Sequence, residues 1–133
     1  MSDRKDIADK QDIHLLVQSF YRKVIDDDVI GEIFRDVLVF RWDTHIPIMV
    51  NFWESVLLGS ATYKGNTMRV HIDLDKKHRL QPEHFERWKK LFFETLDEHF
   101  EGNVTSEAKK KVELMEVLMQ TKIAQSHNPN FIQ

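Results

Sequence analysis

The sequence predicts an all-α protein. Four stretches carry apolar residues at the three- and four-residue spacing of an amphipathic helix, and no stretch shows the strict alternation of a half-buried strand. The four glycines and three prolines fall where such helices would begin or end. We expect one domain over residues 1–133, with flexible ends at 1–11 and 126–133.

The first two helices are predicted from apolar stripes and their flanking polar residues. The first runs from Ile13 to Val24 and stops at the acidic run 26–28. A short helical turn is possible over 30–34. The second helix is predicted to start at Asp43 as N-cap, with Pro47 tolerated in the first turn, and to end at Gly59.

The second half of the chain predicts a long loop followed by two more helices. Residues 60–80 show no sustained period, so they are expected to be loop, with one helical turn around 68–71. A third helix should run from Pro82 to Gly102. A fourth should begin near Thr105 or Ser106 and continue to Ile123. A loop of that length in a small domain is uncommon unless it serves a site.

Composition and charge exclude several functional classes. The net charge is -3 and the basic residues are scattered, which gives no footprint for nucleic acid. Without cysteine there can be no disulfide, thiolate site or thiol catalysis. The polar N-terminus is unlike a signal sequence, and no apolar run is long enough to span a membrane, so we expect a cytoplasmic protein without a membrane partner.

The histidine pattern does not predict a metal site built by the protein alone. None of the seven histidines is spaced as in H-E-x-x-H or as in the carboxylate-histidine repeats of di-iron bundles. A haem site needs less, because the porphyrin supplies four ligands and one imidazole plus an apolar slot completes the site. The many aromatic residues could form such a slot or simply a bulky core. On position alone, His71 is more simply interpreted as an exposed loop histidine.

A set of short segments carries a family resemblance: Phe20-Tyr21, Phe34, His45, Asn51-Phe52-Trp53, Leu57-Leu58-Gly59, Tyr63-x-Gly65, Met68-x-x-His71 and His84-Phe85-x-Arg87-Trp88-x-x-Leu91-Phe92. In this order and spacing, over about residues 12–125, they resemble the group III truncated haemoglobins. The resemblance implies a two-over-two helical sandwich around haem b with a reduced F helix.

The resemblance also implies roles for individual residues. His71 would bind the iron, and Tyr21, His45, Met49 and Trp88 would face the distal ligand. The remaining haem contacts are expected from Phe34, Phe52, Trp53, Met68 and Phe92.

Some of these assignments have rivals. The run from His71 to Trp88 looks longer than in some relatives, so His78 is a possible alternative iron ligand. Tyr21 could be an interfacial tyrosine, Trp88 plain core and His45 a solvent-facing side chain.

The implied function is reversible binding of O2, and also of CO and NO, at ferrous iron, with slow O2 release through the distal tyrosine and tryptophan. An enzyme for NO dioxygenation or peroxide turnover, served by an external reductase, is the alternative. A helical interaction module without haem is the alternative of another class.

Overall fold

The computed structural model describes residues 3–37, 40–60, 63 and 65–127. These residues form five α-helices and one short π-helical segment, and they contain no strand beyond a single bridge. The elements are α1 (Lys10–Ile25), the π-helical segment (Ile33–Val37), α2 (Trp42–Leu58), α3 (Thr67–Lys77), α4 (Pro82–His99) and α5 (Asn103–Ser126). The all-α prediction is confirmed.

The helices pack in two layers. α1 packs on α2 in one layer, α4 packs on α5 in the other, and α1 lies directly on α4. The central contact is aromatic: Phe20 of α1 meets Trp88 and Phe92 of α4 edge to face, with ring centroids 4.9 and 5.1 Å apart. Such pairs add to the free energy gained by burying the rings. α3 packs on α5 and closes one end of the assembly.

The structure corrects the expected loop over 60–80, because most of its second half is helix α3. Asn66, taken as a loop signal, is the N-cap, and its side chain accepts a hydrogen bond from the Arg69 amide at 3.0 Å. Ile72 and Leu74 are buried, and their burial offsets the weak helical pattern of the charged remainder.

The start of α2 also differs from the prediction. Arg41, not Asp43, is the N-cap, and it has no capping side chain of its own. The imidazole of His45 serves instead, because its Nδ1 accepts a hydrogen bond from the Arg41 amide at 2.7 Å. Pro47 therefore lies within the helix beyond its first turn, two positions further from the N-cap than expected.

The N-terminal segment, predicted to be flexible, contacts the start of α5. The carboxylate of Asp6 accepts hydrogen bonds from the backbone amides of Val104 and Thr105 at 2.8 and 2.9 Å and from the Thr105 hydroxyl. Gly102, at φ 144°, passes so close that an added Cβ would lie 2.5 Å from the Asp6 side chain. Asp6 thus caps a helix that begins at Asn103, earlier than the sequence predicts.

No helix among the described residues is long and apolar enough to cross a bilayer.

Candidate functional site

A cavity of about 390 Å³ lies where all six elements meet. Its lining is mostly aromatic and aliphatic, with a few polar side chains, which is the usual composition of a small-molecule or cofactor site. Of the predicted site residues, eight line it: Tyr21, Phe34, His45, Met49, Phe52, Trp53, His71 and Trp88.

Two predicted residues stand apart from this set. Phe92 does not line the cavity but lies fully buried behind its wall, with its ring stacked on Trp53 at 4.7 Å and on Trp88 at 5.1 Å. Phe92 therefore supports the wall instead of contacting an occupant. The side chain of Met68 lies outside the described residues.

Three histidines line the cavity, and two of them serve as helix caps. His45 caps α2 as described, and His84 caps α4 by accepting the Gln81 amide hydrogen at Nδ1, 2.9 Å away. An imidazole that accepts at Nδ1 carries its proton on Nε2. To bind a metal through Nε2, the His84 ring would have to move that proton to Nδ1 and lose its cap hydrogen bond. The Nδ1 of His45 also lies 2.9 Å from the Arg41 carbonyl oxygen, so His45 keeps a hydrogen bond to Arg41 in either tautomer.

His71 lies in the interior of α3 and caps no helix. It is half-buried, and Leu74 and Val70 line the cavity beside it. His78, the rival from the sequence, does not line the cavity. It is the C-cap residue of α3, and its Nδ1 is buried without a hydrogen-bond partner among the described residues. Of the two candidate ligands from the sequence, His71 therefore lines the cavity and His78 does not.

Tyr21 contributes a buried phenol to the cavity wall. Its ring stacks on Phe40 at 5.0 Å and meets Phe20 edge to face at 4.9 Å. Its side chain is 5% exposed, and burial raises the pKa of its hydroxyl above the ordinary value. The phenol therefore stays neutral at physiological pH and keeps its O–H as a donor.

Phe40 joins Tyr21 to His45. Its ring lies between theirs and stacks on the His45 imidazole at 4.8 Å. The Nδ1 of His45 lies 2.7 Å from the Arg41 amide nitrogen and 2.9 Å from the Arg41 carbonyl oxygen, so Nε2 is the ring nitrogen left for an occupant of the cavity. Phe40 was not predicted, because it precedes α2 in an irregular stretch and lies on no apolar stripe.

Trp88 lies both in the aromatic core and on the cavity wall. Its ring is stacked in the core, 7° from parallel with Phe92, and it also lines the cavity. Core packing therefore fixes the ring, and the indole supplies one N–H donor.

An ion pair joins the half-buried Arg87 to the buried Asp27. Arg87 of α4 contacts the Asp27 carboxylate at 2.6 Å, and that carboxylate also accepts the backbone amides of Val29 and Ile30. Burial opposes ionisation of Asp27, but Arg87 and the two amides outweigh it and hold its pKa below the usual range. The pair thereby fixes the turn that carries Ile30 and Ile33 into the cavity.

α5 supplies the last wall of the cavity. Val112, Met115, Glu116 and Met119 line it at successive helical turns. The stripe of Val112, Met115 and Met119 was visible in the sequence, but periodicity alone could not tell core from cavity. Glu116 gave no signal, because a single charged residue on a helix is usually solvated. His84 was part of a resemblance motif but was given no site role.

Comparison with known proteins finds similarity to group III truncated haemoglobins. No family model matches the chain. The group 3 truncated haemoglobin ctb of Campylobacter jejuni is 35% identical to it over 91 residues, which cover 66% of this chain and 69% of that protein. The crystal structure of a group III truncated haemoglobin from Campylobacter jejuni superposes with a TM-score of 0.81 at 26% identity, covering 90% of this chain and 94% of the other.

Proposed function

The chain belongs to the group III truncated haemoglobins, a family of globin-type haem proteins, and from that membership we propose that it binds O2, CO and NO reversibly at a ferrous haem b held by His71. The observation that carries the assignment of His71 is its place on the cavity wall, which the rival His78 does not share. We also propose that the 133 residues act as one domain.

The described residues fit haem as an occupant. The cavity walls are largely apolar and aromatic, as a porphyrin requires, and a histidine inside α3 supplies the axial ligand. Haem, when bound, supplies the iron at which diatomic gases bind reversibly.

With haem bound, residues on different walls of the cavity would have different roles. His71 would bind the iron from α3, while Tyr21 and Trp88 would present O–H and N–H donors from α1 and α4. A polarised ligand such as O2 gains more from these donors than CO does. Phe34, Met49 and Phe52 keep water out, which strengthens each of those hydrogen bonds. Slow release of O2 is the expected consequence.

Replacing His71 tests the proposal. The purified wild-type protein, given haem, should develop a Soret band, and a helical module without haem would show none. His71→Gly should lose stable haem, because the axial bond couples haem binding to folding. Added imidazole should restore a five-coordinate ferrous spectrum.

His78→Ala is the matched control, since that histidine ends the same helix but does not line the cavity. It should retain haem with an unchanged spectrum. Loss of haem in His78→Ala with retention in His71→Gly would refute the assignment.

A further inference from the structure

One acidic side chain, that of Glu116, lines the cavity among the described residues. It projects from α5 between the turns that carry Val112 and Met119, and its side chain is 13% exposed. Its Oε1 accepts a hydrogen bond from the side-chain amide of Gln120 at 3.3 Å. Its Oε2 is buried and has no hydrogen-bond partner in the described part of the chain.

The counter-ion of Glu116 is Lys89. The Lys89 Nζ lies 3.3 Å from Oε2, which is an ion pair without hydrogen-bond geometry. Lys89 follows Trp88 in α4 and is more exposed than its partner, at 28%. The carboxylate is therefore only partly compensated, and the negative end of the pair faces the cavity.

Helix packing accounts for a carboxylate at this position only in part, through the Lys89 ion pair and the Gln120 hydrogen bond. Its neighbours on the stripe are apolar, and an apolar residue of similar size would avoid the cost of removing a charge from water. A charge kept in such a place is better explained by an effect on what occupies the cavity. That occupant, on the proposed function, is haem.

The effect of a fixed charge on haem iron has a definite sign. A negative charge in a poorly screened site stabilises the more positive oxidation state, and burial and local charge are known levers on haem potential. α5 packs directly on α3, and Glu116 of α5 and His71 of α3 both line the cavity.

We propose that Glu116 and Lys89 form a charge pair that sets the reduction potential of the haem iron, with Glu116 lowering it and Lys89 raising it. This inference rests on the proposed function. It adds the residues that decide how readily the ferrous, gas-binding state is lost to oxidation.

Spectroelectrochemical titration of the haem-loaded protein tests the pair. At a fixed applied potential, Glu116→Gln should lower the ratio of ferric to ferrous haem about threefold to tenfold, a tenfold change being about 59 mV for one electron. Lys89→Gln should raise that ratio. Glu113→Gln is the matched control on the same helix, and it should leave the ratio unchanged because that side chain is exposed and screened.

The outcomes separate the two proposals. A Glu116→Gln potential equal to that of Glu113→Gln, or shifts of the same sign in Glu116→Gln and Lys89→Gln, would overturn the charge pair while leaving the haem function standing. If Glu116→Gln fails to fold, Lys89→Gln decides alone: a lower potential supports the pair and an unchanged one overturns it. Absence of a Soret band in wild type would instead overturn the haem function.

Discussion

Tyr21 shows what a single residue contributes to the cavity. Ring contacts with Phe20, Phe34 and Phe40 hold it, and it lines the cavity. Its neutral phenol is a hydrogen-bond donor, and a bound ligand that accepts from it would gain that hydrogen bond. The fold therefore holds a donor at the place where selectivity for a polarised gas would arise.

Removing that donor should speed O2 release. A hydrogen bond to a charged acceptor is worth about 1.5 to 3 kcal/mol, so Tyr21→Phe should raise the O2 dissociation rate by roughly one to two decades. CO dissociation should change much less, because CO is less polarised. Trp88→Phe should act in the same direction, and the double variant should fall short of the product of the single effects.

Stopped-flow mixing of the oxygenated protein with an O2 scavenger measures these rates, and CO replacement by NO provides the internal control. Equal acceleration of O2 and CO would mean that Tyr21 and Trp88 act by packing alone.

Sequence reasoning selected residues that combine a family motif with apolar neighbours. Tyr21 follows the buried Phe20, and Trp88 lies on the stripe of α4. Both were predicted to face the distal ligand, and both line the cavity. It failed where tertiary contact assigns the role: Phe40 is recruited by stacking between two rings, and His84 faces the cavity while capping its own helix. Phe92 was predicted to contact haem but lies behind the cavity wall, stacked on Trp53. Periodicity identifies a buried face but does not show what that face contacts.

At the scale of elements, the ion pair between Asp27 and Arg87 fastens the end of α1 to α4. Asp27 is buried, so its carboxylate depends on Arg87 and two backbone amides for all of its described hydrogen bonds. Asp27→Asn should lower the free energy of unfolding by about 1 to 3 kcal/mol at neutral pH.

The same variant should abolish one component of the pH dependence. Because the folded pKa of Asp27 lies below its unfolded value near 3.8, its contribution is present above that pH and is lost as the pH falls through the folded pKa. The difference between wild type and Asp27→Asn should therefore be constant from about pH 5 upward and should shrink below about pH 4. Urea titrations at several pH values measure it.

Asp26→Asn is the control for this series. Asp26 precedes Asp27 in the chain but is exposed, so its replacement should have little effect on stability at any pH. A difference between wild type and Asp27→Asn that persists undiminished at low pH would show that shape, not charge, is what Asp27 contributes.

The helices themselves were predicted unequally. α4 was predicted from Pro82 onward because a proline in the first turn and a clear apolar stripe agree. α3 was missed, since its buried face consists of few residues and its sequence is rich in charge. α5 began earlier than predicted because its cap, Asp6, lies in a distant part of the chain that no local pattern reveals.

For the whole molecule, the cavity makes stability depend on its occupant. A space of about 390 Å³ at the meeting point of six elements removes contacts that a filled core would have. Haem that binds the folded but not the unfolded chain should add about 2.7 kcal/mol at a hundredfold excess over its dissociation constant, or roughly 10 °C in melting temperature.

Calorimetry of the apoprotein and of the haem-loaded protein measures this difference. His71→Gly should show much less of the increase, because its haem lacks the axial bond. Identical melting temperatures with and without haem would contradict the assignment of the cavity as the haem site.

The cap that Asp6 provides for α5 has a consequence for synthesis of the chain. Asp6 and Val104 are 98 residues apart, so at about 5–20 residues per second the ribosome adds the receiving amides roughly 5–20 s after the capping carboxylate. Throughout that interval the N-terminal segment has no helix end to bind. The residues around Asp6 are therefore made long before they can complete their native contacts, and they stay open to proteases until α5 has emerged.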